Sequence, residues 1–243
     1  MNAKSFDDLG IPFPLFKGKV DDAYEYIGES TCSVCNNEKS HCFVLGIGCA
    51  LMIKCGECGM ENGLDAHDRK DINCYSCNSK VSFPIFNCEN ISICYECLRE
   101  GKGAITKGSE LGMISWEQSY NGITHGIRGM NRSDFEMIPL DDGWFGAKLD
   151  KSVIFELLRT PTFLTIQGED WQFCCKDPMY YIGTWSRNDF CKNASDGNGK
   201  KYFERIIQKN VNGLWEDTLH DRTGIYIFEC QHCKSQRAVW DLQ

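Results

Sequence analysis

Ten of the sixteen cysteines in this 243-residue chain stand in five Cys-x-x-Cys pairs: Cys32/Cys35, Cys55/Cys58, Cys74/Cys77, Cys94/Cys97 and Cys230/Cys233. That spacing turns two thiolates from one tight turn toward a single ion, and two such turns complete a tetrahedral zinc shell. The chemistry on offer is therefore metal ligation. The question is whether the metal holds the fold or does a reaction.

The inner unit reads Cys55-Gly-Glu-Cys58-Gly59, then fifteen residues, then Cys74-Tyr-Ser-Cys77-Asn78. This is zinc-ribbon spacing. Gly59 and Asn78 follow their second cysteines, where a knuckle turn calls for a positive φ that these residues tolerate. Cys32/Cys35 and Cys94/Cys97 flank the ribbon as the natural outer pair, although a swap that joins Cys32/Cys35 to Cys55/Cys58 satisfies the spacing too. Four sulfurs leave no open coordination position, so a zinc in either group is structural.

Cys230 and Cys233 have no later pair, and their remaining ligands must come from upstream. Cys174 and Cys175 are the best donors. In a regular strand their side chains face opposite ways, so both reach one ion only if the chain bends or bulges there. The working arrangement takes Cys175 as third ligand and Cys174, Cys191, His220 or His232 as fourth. Three protein ligands plus water would make an open, Lewis-acidic site, the one place where an enzyme could sit. The total expectation is two to three Zn2+ per chain.

The remaining chemistry-bearing residues are weaker. Cys42, Cys49 and Cys88 lack partners at metal spacing and read as core residues. His67 lies in a charged loop, and His41 and His125 have no neighbouring acid or thiol motif. Glu169-Asp170 reads as a solvated turn more readily than as an acid/base pair. No Gly-x-Ser-x-Gly, phosphate-loop, His-Glu-x-x-His or dinucleotide fingerprint occurs.

Bulk properties narrow the partner class. The net charge is −8, and each four-cysteine zinc site adds roughly −2 in formal charge, taking the total to roughly −12 or −14. Such a surface repels phosphate backbones and membranes and attracts basic proteins. Lys200-Lys201 and Lys54 are the densest basic stretches and make no cluster, so nucleic-acid binding is not expected. The longest apolar run, Phe43 to Ile53, is too short to span a membrane and reads as a buried strand or hairpin. The opening, MNAKSFDDLG, carries no secretory signal, and paired thiols then imply a reducing cytoplasm.

The elements that must position these groups read as α+β: a zinc-ribbon/knuckle region nested in a mixed antiparallel β-sheet domain with short helices. Residues 1–31 form an extended arm whose Ile11-Pro-Phe-Pro-Leu-Phe16 cluster packs on the body. Residues 32–103 are the nested metal region, with the ribbon at 55–77, and 104–243 an α+β domain that closes in a C-terminal knuckle. Within it, a short helix is expected near Trp116, strands around the Asp141-Asp142-Gly143 turn and a helix over Ser152–Arg159 stopped by Thr160-Pro161. Strands are expected in 162–174 and 179–185, a second helix over Lys201–Lys209, and strand, knuckle and strand at the end.

The segments Phe13-Pro-Leu-Phe16, Thr31-Cys-Ser-Val-Cys35, Ile93-Cys-Tyr-Glu-Cys-Leu-Arg-Glu-Gly-Lys-Gly-Ala104, Glu156-Leu-Leu-Arg-Thr-Pro161, Trp171-Gln-Phe-Cys-Cys-Lys-Asp177 and Phe228-Glu-Cys-Gln-His-Cys233 occur in this order along the chain. Together they resemble the CbrC family of bacterial colicin-tolerance proteins. The resemblance is to a longer version of the family, with the 55–77 ribbon inserted between the outer pairs. It implies that Cys32/Cys35 pair with Cys94/Cys97, because compact members have those two knuckles alone. It also implies tolerance to a DNase-type colicin and supplies no reaction. The leading expectation is a cytoplasmic, zinc-stabilised binding protein that captures a protein partner such as a basic toxin domain. An enzyme using the C-terminal site or its thiols is the alternative, and a nucleic-acid-binding ribbon factor the third reading.

Overall fold

A computed structural model describes residues 4–105, 116–163, 165, 171–209, 213–217 and 223–242. The Glu169-Asp170 pair and His220 lie outside the described residues. The chain forms two compact units, one of Ala23–Ile127 with Phe135–Thr162, the other of Met1–Asp22, Arg128–Asp134 and Phe163–Gln243. Both mix short antiparallel sheets with short helices, an α+β architecture. Among the described residues, no helix is long and apolar enough to cross a membrane.

The first unit is built on two three-stranded sheets. In one, Ser40–Leu45 runs between Tyr26–Ser30 and Ile91–Cys94; in the other, Ala50–Lys54 runs between Glu61–Asp65 and Gly103–Ala104. The apolar run Phe43–Ile53 is thus neither one strand nor a hairpin. It breaks at Gly46–Cys49, where Cys49 N–H donates to the Gly46 carbonyl at 3.1 Å, and feeds the centre of a different sheet on each side. Adjacent residues Cys42 and Phe43, and Ala50 to Met52, are all buried, so both faces are covered there and the sequence shows no alternation. A small pair, Ile72–Asn73 with Lys80–Val81, completes the ribbon.

Helix Lys151–Arg159 closes this unit. Asp150 caps it by accepting from the Ser152 backbone N–H at 2.8 Å, and Thr160-Pro161 ends it. Ile154, Leu157 and Leu158 are buried, and each contributes about 1.5–3 kcal/mol by leaving water. The outward Glu156 receives a two-pronged guanidinium from Arg99, at 2.9 and 3.0 Å, which ties this helix to Tyr95–Arg99. Met137–Pro139 pairs with Phe145–Ala147 around a single 3-10 turn at Asp141–Gly143.

The second unit is organised by one sheet, Tyr180–Thr184, Thr223–Glu229 and Gln236–Leu242. Alternation along the middle strand sends Ile225 and Ile227 to one face, and Tyr226 and Phe228 to the other. The first face packs with Phe190, Phe203, Ile206 and Leu214 from helices Arg187–Asn193, Gly199–Ile206 and Leu214–Asp217. On the second face the rings of Phe163, Trp171, Tyr181, Tyr226 and Phe228 meet at 4.7–6.1 Å. The helix expected over Lys201–Lys209 begins two residues earlier because Asn198 caps it, accepting from Lys201 N–H at 3.0 Å.

The prolines near the start hold their segment extended, and it joins the sheet edge. Phe16 bridges Tyr181 in parallel; Lys17 N–H donates to the Tyr181 carbonyl at 2.7 Å, and Tyr181 N–H to that of Leu15 at 2.9 Å. Phe6, Phe13 and Phe16 are buried, with ring centroids 4.8 Å apart between Phe16 and Tyr181.

Candidate metal centres

Four of the five Cys-x-x-Cys segments are turns of β-hairpins with the same backbone. The residue four after the first cysteine has positive φ: Asn36 (58°), Gly59 (73°), Asn78 (62°) and Lys234 (60°). In each, the first cysteine's N–H donates five residues ahead, to Asn37, Met60, Ser79 or Ser235, at 2.7–2.9 Å. This loop folds the chain back so that both sulfurs emerge on one side. The Cys94/Cys97 segment differs, because Cys94 caps helix Tyr95–Arg99 and its sulfur accepts from Cys97 N–H at 3.5 Å.

The cysteines gather in three groups of four, with the sulfurs of each group within 4.8 Å of one another: Cys32, Cys35, Cys94 and Cys97; Cys55, Cys58, Cys74 and Cys77; Cys174, Cys175, Cys230 and Cys233. Cys32 and Cys35 therefore join Cys94 and Cys97 and not the ribbon pair. Contacts across the groups run 4.0 Å (Cys32–Cys97), 3.8 Å (Cys35–Cys94), 3.6 Å (Cys55–Cys77), 3.5 Å (Cys58–Cys74) and 3.7 Å (Cys174–Cys233). A tetrahedral shell with a metal–sulfur bond of about 2.3 Å has an edge of about 3.8 Å. A disulfide needs about 2.05 Å, so these sulfurs are spaced for a shared ion. None of the sixteen cysteines is in a disulfide. Each group could hold a metal ion, and its all-sulfur donor set suits a borderline or soft one.

The third group solves the problem of adjacent ligands with a turn. Phe173–Cys174 pairs with Asp177–Pro178, and the two residues between, Cys175 and Lys176, have φ of 54° and 68°. Two successive positive φ values reverse the chain as a primed hairpin turn does. Cys175 leaves the strand alternation, and its sulfur comes round to that of Cys174, 3.9 Å away. The other fourth-ligand candidates are elsewhere. His232 Nε2 meets Asp177 Oδ2 at 2.5 Å, and Cys191 is exposed on helix Arg187–Asn193.

Hydrogen bonds prepare some of these sulfurs as thiolates. The Ser79 hydroxyl, 3.0 Å from Cys55 and 2.9 Å from Cys77, holds Cys55 down to about 6, helped by the N–H groups of Cys58 and Glu57. Ser235 does the same for Cys233, also to about 6. Contacts from Cys233 and Cys230 push Cys175 up to about 12, and burial raises Cys97 to about 12. Without metal, the second and third groups thus each combine a sulfur held low with one held high. Neither serine stood out in the sequence, although both follow their second cysteine by two residues.

Cys42 and Cys49 are buried as expected, but Cys88 is exposed. It lies 3.6 Å from the Ser33 hydroxyl, on the loop between Lys80–Val81 and Ile91–Cys94. His67 is exposed, and His41 meets the Tyr26 hydroxyl at 2.7 Å. His125 lines a cavity of about 380 Å³ with Gln118, Asp141 and Trp144.

The sequence model of a family described as "Uncharacterised protein family (UPF0167)" matches residues 59–242. The matched span holds the third cysteine group whole and Cys74, Cys77, Cys94 and Cys97 of the other two. No curated protein and no solved structure matches the chain.

Proposed function

This chain belongs to the UPF0167 family, known as CbrC, and we propose that it is a zinc-stabilised binding protein that captures a basic protein partner. The observation that carries the proposal is the closure of all three groups by four sulfurs at tetrahedral spacing. A zinc so held has no open position for water or substrate, so it orders the chain around it and performs no hydrolysis. Having Cys174 in place removes the need for a water as fourth ligand in the C-terminal group. The ribbon has a small core, Leu64 and Val81 with the buried cysteines Cys55 and Cys74, and draws its order from the ion.

Function then resides in the surface. Three four-sulfur zinc sites would take the formal charge from −8 to roughly −14. A surface of that sign steers a basic partner and repels nucleic acid. In the first unit, Trp144 and Tyr24 are about 60% exposed and supply aromatic anchors of the kind that dominate binding energy. The resemblance to colicin-tolerance proteins points to a basic DNase-type toxin domain met in the cytoplasm. In this reading the ribbon at 55–77 is an insertion in a longer family member.

Titration calorimetry of the full chain against a DNase-type colicin domain tests the proposal. Saturable one-to-one binding that weakens as salt rises is the expected result. No heat at micromolar concentrations, from protein carrying its metals, would remove the binding role. An enzyme acting through the C-terminal sulfurs would instead lose its effect on Cys175→Ala in a folded variant.

A further inference from the structure

The three groups differ in how far their sulfurs are shielded. In the first, only Cys35 is exposed; in the second, Cys58 and Cys77; in the third, Cys175 and Cys233 are exposed, Cys174 is half-buried and Cys230 alone is buried. Oxidation of a metal-bound thiolate follows its accessibility to the oxidant. The third group also differs in what would survive loss of its ion. Its two hairpin tips are joined independently of sulfur: Gln231 Nε2 donates to the Pro178 carbonyl at 2.6 Å, His232 meets Asp177, and Arg237 Nη1 donates to the Phe173 carbonyl at 2.7 Å. The ribbon, by contrast, counts its own Cys55 and Cys74 among its buried apolar side chains.

We propose that the Cys174/Cys175/Cys230/Cys233 group is a site of reversible oxidation by hydrogen peroxide, which expels its zinc while the surrounding unit stays folded. This rests on the reading that the group holds zinc. The Cys233 thiolate attacks the peroxide, breaking the O–O bond and forming an S–O bond; the sulfur loses two electrons and a hydroxide leaves. The Cys174 thiolate, 3.7 Å away, then attacks the sulfenic sulfur, forming the S–S bond and releasing the second hydroxide. Two protons convert both hydroxides to water. The ion loses two of its four ligands and departs. The joined tips keep the two sulfurs close, so a dithiol reductant and zinc restore the starting state.

The test uses the full chain, purified under reducing, chelator-free conditions and then freed of reductant. Zinc content is measured first, and hydrogen peroxide is then titrated in with a zinc-sensitive dye present. Timed samples are alkylated, and each cysteine is scored by peptide mass spectrometry. The expected result is early zinc release with protection from alkylation at Cys174 and Cys233, at least about tenfold faster than at Cys32, Cys35, Cys94 or Cys97. Far-UV circular dichroism holds steady, and dithiothreitol with zinc reverses the change. Oxidation that starts in the ribbon, or proceeds at equal rates in all three groups, or unfolds the protein as the first zinc leaves, overturns the proposal. The zinc content before peroxide judges the underlying reading separately. A third group that is metal-free and freely alkylated at the outset removes both there.

Discussion

Asp177 Oδ2 and His232 Nε2 meet at 2.5 Å and join the tips of the two hairpins that carry the third cysteine group. Cys174 supplies the fourth sulfur of the group, while the one histidine inside a Cys-x-x-Cys segment faces Asp177. His232→Ala is therefore expected to retain the full zinc content, whereas Cys174→Ala weakens or empties that site alone. Elemental analysis of the two purified variants separates the cases. Both partners of the pair are about half exposed, so Asp177→Ala lowers stability by less than about 1 kcal/mol, read from thermal unfolding.

Removing metal should act on the ribbon most severely. A bound zinc would contribute on the order of 10 kcal/mol to a segment with little core of its own. Strong chelation is expected to collapse amide hydrogen-exchange protection around Leu64 and Val81, while the sheet around Ile227 keeps its protection. Uniform loss across both regions would mean that the ions are not local staples.

Zinc loading must displace protons, because burial and neighbouring sulfurs hold Cys97 and Cys175 as thiols, up to about 12. Affinity is thus expected to rise with pH, by about tenfold per pH unit for each proton displaced. The sign follows from thiols being favoured below their raised values and giving up protons only to the metal. Competition titrations at pH 6 and pH 8 check it, and equal affinities at both would contradict it.

The knuckle turns carry local strain that can be relieved. Lys234 and Lys176 have φ of 60° and 68°, where a glycine has no Cβ to clash. Lys234→Gly and Lys176→Gly are each expected to stabilise by up to about 1 kcal/mol. Gly59→Ala, at φ 73° with open space around the added carbon, is expected to cost about 1 kcal/mol for backbone reasons alone. Denaturant unfolding of the zinc-loaded variants measures all three.

Arg99 and Glu156 bind through two parallel hydrogen bonds and are less than a third exposed. Glu156→Gln keeps one acceptor and loses the charge, so a cost of about 1 kcal/mol is expected, shrinking in high salt. Thermal unfolding at two ionic strengths reads both the cost and its salt dependence.

The five Cys-x-x-Cys pairs were legible because their spacing is a local constraint that survives without tertiary context, whereas how they group was not. The positive φ at Gly59 and Asn78 was legible for the same reason, since residue type and position agree; at Lys234 the residue type hides it. What could not be read is whatever depends on partners distant in sequence. The Phe43–Ile53 run looked like one element because its break, Gly46–Cys49, matters only through the two sheets on either side. Cys174 stayed one of four candidates for the fourth ligand because a regular strand faces it away from Cys175, where in fact a turn of two positive-φ residues lies. Cys88 looked buried because exposure of a small apolar residue on a loop leaves no periodic trace.

The order in which these contacts become available has a consequence for how the chain is born. The ribbon's sulfurs span 22 residues from Cys55 to Cys77, and that group can close early in translation; Cys32 must wait 65 residues for Cys97. The Phe16 ring has to wait for Tyr181 to pack against. Aromatic side chains made long before their partners are thus among the last to be buried. A nascent chain stalled after the ribbon would display Phe6, Phe13 and Phe16 as a sticky cluster for chaperones to shield.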